Sequence, residues 1–230
     1  MSLSKILVSI LFLFLVVFLG GCFLFICSDT TDLGSDHTGY VVKHIYDHYN
    51  SNITIAIITG MHPRETLAVG PEMLTAQTFA FFNKVKVINY EVVVEEDEDK
   101  YKESRNNGEA LVVNYIMPDI YKSDIDLVII SHSHIPSYGK GFYVATPAMD
   151  SASVHLGESI ANAGINFRYY PNKGNAKYKS SSAALISKPL ANAGYPLLVY
   201  EIPENITALD SFSKTYDLIS VSTDILKEMN

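Results

Sequence analysis

The stretch 53-ITIAIITGMHPRETLAVGPE-72 decides the fold. Ile53 to Thr59, mostly β-branched and apolar, reads as a strand buried on both faces, the pattern of a parallel sheet covered by helices. The run ends at Gly60, and two polar residues, His62 and Glu65, follow three positions apart. In α/β folds the ground just beyond a strand's carboxyl end is where chemistry collects. Pro63 suits the first position of a helix, which predicts a helix over 63–82 with His62 at its cap and Glu65 in its first turn. Two roles fit the pair: ligands of a metal ion, or a helix start in which Glu65 meets the helix dipole and His62 bonds backbone.

Outward from this stretch, strand and helix signals alternate. Strands are expected at Ile53 to Thr59, Val85 to Val94, Leu127 to Ser131, Phe142 to Ala145, Asn166 to Tyr170 and Leu197 to Ile202. Helices are expected at Pro63 to Phe82, Gly108 to Tyr121, Ser151 to Ala163, Ser182 to Ala193 and Ala208 to Met229. This order implies an α/β fold with a mixed, largely parallel sheet covered on both faces. Before it, 37–51 carries apolar residues at helical spacing, so 29–50 is expected to hold a tether and a first helix. His44 and His48 fall four apart there; they lack a carboxylate partner and read as a surface or half-buried pair. The acidic run 95-EEDEDK-100 lacks the ligand spacing of a calcium loop and reads as a solvated turn, with 103-ESRNNGE-109 following.

Composition narrows the function. The 230 residues are 48% apolar with a net charge of −8, enough for one good core and without the basic stripe of a nucleic-acid binder. Cys22 and Cys27 both lie near the N-terminus, so the remainder has no disulfide framework and no cysteine metal site. From Ile6 to Cys27 there is no charge, a stretch that as a helix spans about 33 Å, roughly a bilayer's hydrocarbon core. Residues 1–28 are therefore expected to be a membrane anchor, with a cleaved signal and a lipoprotein box at 19-LGGC-22 as alternatives. Lys5 on one side and Asp29, Asp32 and Asp36 on the other imply a single-pass protein with its globular domain, 51–230, outside the cytoplasm.

Two further segments bear on His62 and Glu65. In 124-DIDLVIISHSHIPSYG-139 an apolar strand runs into His132, with His134 two residues on. If this strand and Ile53–Thr59 are parallel neighbours, His62, Glu65 and His132 meet at one sheet edge. Two imidazoles and a carboxylate leave a fourth zinc position open, the arrangement of hydrolytic sites. In 197-LLVYEIPE-204, Glu201 sits inside an apolar run, where a carboxylate needs a metal, a hydrogen-bond donor or an ion pair.

"GMHPRE", "ISHSH" and "LLVYEIPE", taken in order, resemble the motifs of the zinc carboxypeptidase superfamily, which includes the compact succinylglutamate desuccinylase and aspartoacylase branch. The resemblance implies a three-layer α/β/α sandwich and Zn2+ held by His62, Glu65 and His132. It implies Glu201 as general base and hydrolysis of an amide bond in a peptide or N-acyl amino acid. Strand alternation points His132 and His134 the same way, so either could be the ligand, with the other behind it or near substrate. The family's carboxylate-gripping Asn-Arg pair has no match: Asn114 is followed by Tyr115. Only three arginines occur, Arg64, Arg105 and Arg168, so candidates for gripping a carboxylate are few; the resemblance favours Arg105 to stabilise an oxyanion, with Arg64 beside the substrate. Tyr178 falls where the peptidases carry a substrate-capping tyrosine. A non-catalytic, membrane-anchored binding module on the same fold is the alternative function.

Overall fold

The computed structural model describes residues 3–26, 28–171 and 180–229. An N-terminal helix, α1 (Leu3–Ile26), is long and apolar enough to cross a bilayer or to serve as a signal sequence. The rest is an eight-stranded mixed sheet with helices on both faces. Its strands are β1 (Ser28–Asp36), β2 (Gly39–Tyr46), β3 (Thr54–Thr59), β4 (Lys86–Val94), β5 (Leu127–His134), β6 (Tyr143–Thr146), β7 (Arg168–Pro171) and β8 (Leu197–Pro203). They lie in the order β1-β2-β4-β3-β5-β8-β6-β7. The centre, β4-β3-β5-β8, is parallel, as is the β6–β7 pair; β1–β2, β2–β4 and β6–β8 are antiparallel.

Strand alternation builds two cores. Ile55, Ile57, Leu127, Ile129, Leu198 and Tyr200 face α2 (Gly70–Phe82), α5 (Ser151–Asn162) and α7 (Ala208–Met229). Ala56, Ile58, Val128, Ile130, Leu197 and Val199 face the opposite layer. That layer comprises α3 (Tyr101–Leu111), α4 (Met117–Ile120) and α6 (Lys188–Asn192), with π-helical turns at Val112–Ile116 and Ala183–Ser187. Each fully buried aliphatic side chain here contributes about 1.5–3 kcal/mol, which is why the central strands read as unbroken apolar runs.

Three expectations are corrected. The segment 37–51 is not a helix: β2 crosses it, paired with β1 on one side and β4 on the other. Its apolar residues fit a strand whose mixed burial mimics helical spacing, and the expected tether over 29–36 is β1. No helix starts at Pro63. His62 to Glu65 form a tight turn, closed by the Glu65 amide on the His62 carbonyl (2.9 Å), with Pro63 at its second position, an equally favoured place for proline. A short 3-10 turn, Thr66–Ala68, precedes α2. Finally, the helix expected from Gly108 begins earlier, at Tyr101, so the polar stretch 103–109 lies within α3.

Candidate metal centre

Four elements deliver side chains to the carboxyl edge of the sheet. β3 ends at Gly60, whose φ of +77° lies in the left-handed region, and where a Cβ would overlap the Val92 carbonyl oxygen. Only glycine fits both demands. The chain therefore turns sharply and drops His62 and Glu65 over the end of β5. There Ile58 of β3 pairs with Ile130, two residues before His132. On the next strand, β8, Glu201 is the register partner of His132. The fourth element, α3, crosses above. At Gly108 a Cβ would overlap the Met61 carbonyl oxygen, so glycine lets α3 lie against the turn that carries His62. Arg105 and Glu109, one helical turn apart and flanking Gly108, are brought over the site by that approach.

Glu65 is the hub. Its Oε1 meets His62 Nδ1 at 3.0 Å and Arg105 Nη1 at 2.9 Å; its Oε2 meets His132 Nδ1 at 2.9 Å and accepts from the Ser133 amide at 3.2 Å. The His62 and His132 rings stack with centroids 4.5 Å apart. One ligand atom from each of His62, Glu65 and His132 lies within 4.8 Å of the others. Both imidazoles turn the same nitrogen to one carboxylate, and both are buried. Behind His62, its Nε2 lies 3.5 Å from Glu109 Oε1, and Ser181 donates to the same Glu109 oxygen at 2.7 Å. A carboxylate behind a ligating imidazole fixes its tautomer and raises its basicity. The donor set, two imidazole nitrogens and a carboxylate with an outer carboxylate in place, fits zinc.

The electrostatics are those of tightly coupled charges. Burial pushes the Glu65 carboxyl up, but the charges and hydrogen bonds of His132 and His62 outweigh it and hold its pKa well below the usual carboxylate range. Burial depresses His62, while the neighbouring carboxylates of Glu109 and Glu65 raise its pKa further than burial lowers it. At Glu109 burial acts upward, and hydrogen bonds from His62 and Ser181 win, leaving it lowered. Glu201 behaves oppositely. Burial raises it to about 7, with Glu65 adding and His132 and Arg105 opposing. Among the described residues Glu201 makes no hydrogen bond or ion pair.

The remaining candidates lie elsewhere. His134 is turned away from the cluster: its Nδ1 faces the Ile135 carbonyl and its Nε2 the Gly141 carbonyl, each at 3.0 Å, and its ring packs on Tyr143. The structure thus gathers His132, not His134, with His62 and Glu65. Arg64 is exposed beside the turn. Arg105 also lies over the Tyr101 ring, 5.4 Å from its centroid. Tyr178 lies outside the described residues. Tyr115 is spent on packing; its hydroxyl donates to the Ser35 carbonyl at 2.9 Å, away from the centre. His44 bonds Glu91 at 3.1 Å on the outer strands. Glu109 escaped the reading of the sequence. Its signal is the four-residue spacing from Arg105 around a glycine, visible only once 101–111 is taken as a helix.

Solved structures that superpose on this chain include metallo-carboxypeptidases and a succinylglutamate desuccinylase. A metallo-carboxypeptidase from Burkholderia cenocepacia superposes with a TM-score of 0.59 at 12% identity, covering 88% of this chain and 65% of that one. A metallo-carboxypeptidase from Pseudomonas aeruginosa, in complex with (2-guanidinoethylmercapto)succinic acid, gives 0.57 at 12% identity, covering 87% and 65%. A succinylglutamate desuccinylase from Silicibacter sp. TM1040 gives 0.51 at 10% identity, covering 87% and 67%. The chain spans about two thirds of the length of these proteins. No family model and no curated protein matches the sequence. The fold is shared with these metallo-carboxypeptidases.

Proposed function

We propose that the protein is a membrane-anchored zinc hydrolase that cleaves an amide bond in a peptide or an N-acyl amino acid. The observation that carries this reading is the register pairing of His132 with Glu201, a carboxylate with no hydrogen bond or ion pair among the described residues, beside the His62–Glu65–His132 group. A zinc ion held there supplies a Lewis acid for the scissile carbonyl and a water of lowered pKa. The chain's own residues do the rest. Glu201 takes the attacking water's proton and hands it to the leaving nitrogen, a role suited to a carboxyl raised to about 7 in a half-buried setting. Arg105, with part of its side chain exposed, moves from Glu65 to the developing oxyanion or to an anionic group of the substrate. Glu109 keeps His62 oriented. Arg64, exposed at the turn, borders the substrate.

Residues 1–28 form the anchor in this proposal, 51–230 the catalytic domain, and the domain lies on the extracytoplasmic side. The test is amine release from a panel of peptides and N-acyl amino acids by the zinc-loaded protein. Activity lost to a chelator and restored by zinc supports the hydrolase; zinc binding without turnover on any member supports a binding module.

A further inference from the structure

One residue, Cys27, lies between α1 and β1. At 1.5 Å per helical residue, Ser28 is within about 10 Å of the end of the apolar span Ser4–Gly21, so the domain stands directly on whatever α1 crosses. Ser28 pairs with Tyr46, Tyr46 with Val87 and Val87 with Ile55. The edge of the sheet that adjoins α1 is therefore its amino edge, where β3 and β4 begin and β2 ends. The metal group lies at the opposite edge. Thr31, Lys43, Tyr90, Ile58 and Ile130 form one row across the sheet; Thr31 is three residues beyond Ser28, and His132 two beyond Ile130. Those five residues of strand set His132 about 17 Å from the level of Ser28.

The amino edge carries an aromatic group. Tyr49, in the loop after β2, and Phe82, at the end of α2, are 49% and 68% exposed. They are joined: the Tyr49 hydroxyl donates to the Phe81 carbonyl at 2.8 Å, and the Phe81 and Phe82 rings meet edge to face with centroids 4.9 Å apart. α1 touches α2, and among residues 4–21 only Gly20 and Gly21 are half-buried, so that contact comes at the end of α1 nearest the domain. Exposed aromatic rings favour the headgroup level of a bilayer, and Lys84, exposed beside Phe82, reaches toward its phosphates. A cleft of about 430 Å³ on the same edge has Asp47, Lys86 and Asp124 in its wall, charges of both signs that suit zwitterionic headgroups. The carboxyl edge is unlike it. There 95-EEDEDK-100 follows β4, and taking those carboxylates out of water would be costly.

We infer that the amino edge of the sheet is a membrane seat: Tyr49, Phe82 and Lys84 enter the interface of a zwitterionic bilayer beside the end of α1, and the metal group is held on the far edge, open to water. The inference rests on the anchor in the proposed function and goes beyond it, because an anchor alone leaves the domain free to tumble. The seat fixes which way the centre faces. Substrate reaches His62, Glu65 and His132 from the aqueous phase, not from the lipid.

The chain has no tryptophan, so a single introduced tryptophan reports its own position. Tyr49→Trp, Phe82→Trp, Tyr138→Trp and Phe12→Trp are made separately in the full-length protein and reconstituted into phosphatidylcholine vesicles. With lipid brominated near the top of the acyl chains, Tyr49→Trp and Phe82→Trp are expected to lose fluorescence and shift to the blue. Tyr138→Trp, exposed beyond the carboxyl end of β5, keeps full intensity. Phe12→Trp, within α1, tests the anchor alone, with lipid brominated deep in the chains. All these positions are exposed, so melting temperatures stay at the parent's value. Quenching of Phe12→Trp without quenching of either Tyr49→Trp or Phe82→Trp, or with equal quenching at Tyr138→Trp, overturns the seat and leaves the anchor standing. An unquenched Phe12→Trp overturns the anchor, and the seat with it.

Discussion

His132 and Glu201 face each other across parallel neighbouring strands, so the buried histidine that meets Glu65 and the carboxyl raised to about 7 are set by one sheet register. A slip of one residue in that register sends one of them to the opposite face. The same pairing sorts the two histidines of β5. His132 stands opposite the acid, whereas His134 stands opposite Pro203.

Metal binding follows directly. His62→Ala, Glu65→Ala and His132→Ala are each expected to lose stoichiometric zinc, measured by elemental analysis after gel filtration, with far-UV circular dichroism unchanged. His134→Ala is expected to keep it, since its nitrogens face backbone carbonyls. Retained zinc in His132→Ala would move the ligand assignment to His134.

The second layer is testable on its own. Glu109→Gln keeps the side-chain shape but loses the charge behind His62, so zinc affinity is expected to fall about 10- to 100-fold in competition with a chromophoric chelator. Gly108→Ala forces a methyl group into the Met61 carbonyl and is expected to cost about 1–3 kcal/mol in urea unfolding, with weakened zinc binding. An alanine variant as stable as the parent would show that α3 does not depend on that close approach.

Most of the sheet was legible in the sequence because its central strands are buried on both faces and leave long apolar runs, as in Ile55–Ile58 and Leu127–Ile130. The candidate ligands His62, Glu65 and His132 were legible because they follow such runs. What escaped lies where local pattern and tertiary role diverge. The polar residues before Gly108 leave the true start of α3 at Tyr101 unmarked, and nothing local shows that the glycine serves helix packing. Pro63 suits a helix start and a tight turn equally, and the need to fold His62 and Glu65 back over β5 selects the turn. Strand β1 is polar and sits at the sheet's edge, so neither apolar period marks it.

A pH effect is predicted away from the metal group. Glu72 on α2 is fully buried and bonded to Thr215 of α7; burial pushes its pKa up to about 7, with the Ser131 and Thr215 hydroxyls opposing. A raised acid is protonated in the fold but ionises in the unfolded chain above about 4.5. Stability from this group is therefore full below that value and is lost as pH rises to about 7, a change on the order of 3 kcal/mol. Glu72→Gln cannot ionise, so its stability relative to the parent is expected to rise by that amount between pH 4.5 and 7.5 in urea titrations. A pH-independent difference would mean that Glu72 keeps an ordinary pKa.

Anchoring is checked by fractionation. The full-length chain is expected to stay with membranes through an alkaline wash, and a chain lacking α1 to be soluble. Recovery of a shortened mature product in the supernatant would mark α1 as a cleaved signal.

The central claim is that Glu201 is the base of a zinc-dependent amide hydrolysis, and the most direct measurement is single-turnover rate and zinc content of Glu201→Gln beside the parent on a substrate the parent cleaves. Glutamine preserves size at a position that makes no hydrogen bond or ion pair among the described residues, while removing the proton acceptor. Zinc binding and the unfolding midpoint are expected to hold, and the rate to fall about 100- to 10,000-fold, far beyond a packing effect at a strand end. Full turnover by Glu201→Gln, with zinc bound, would contradict the account.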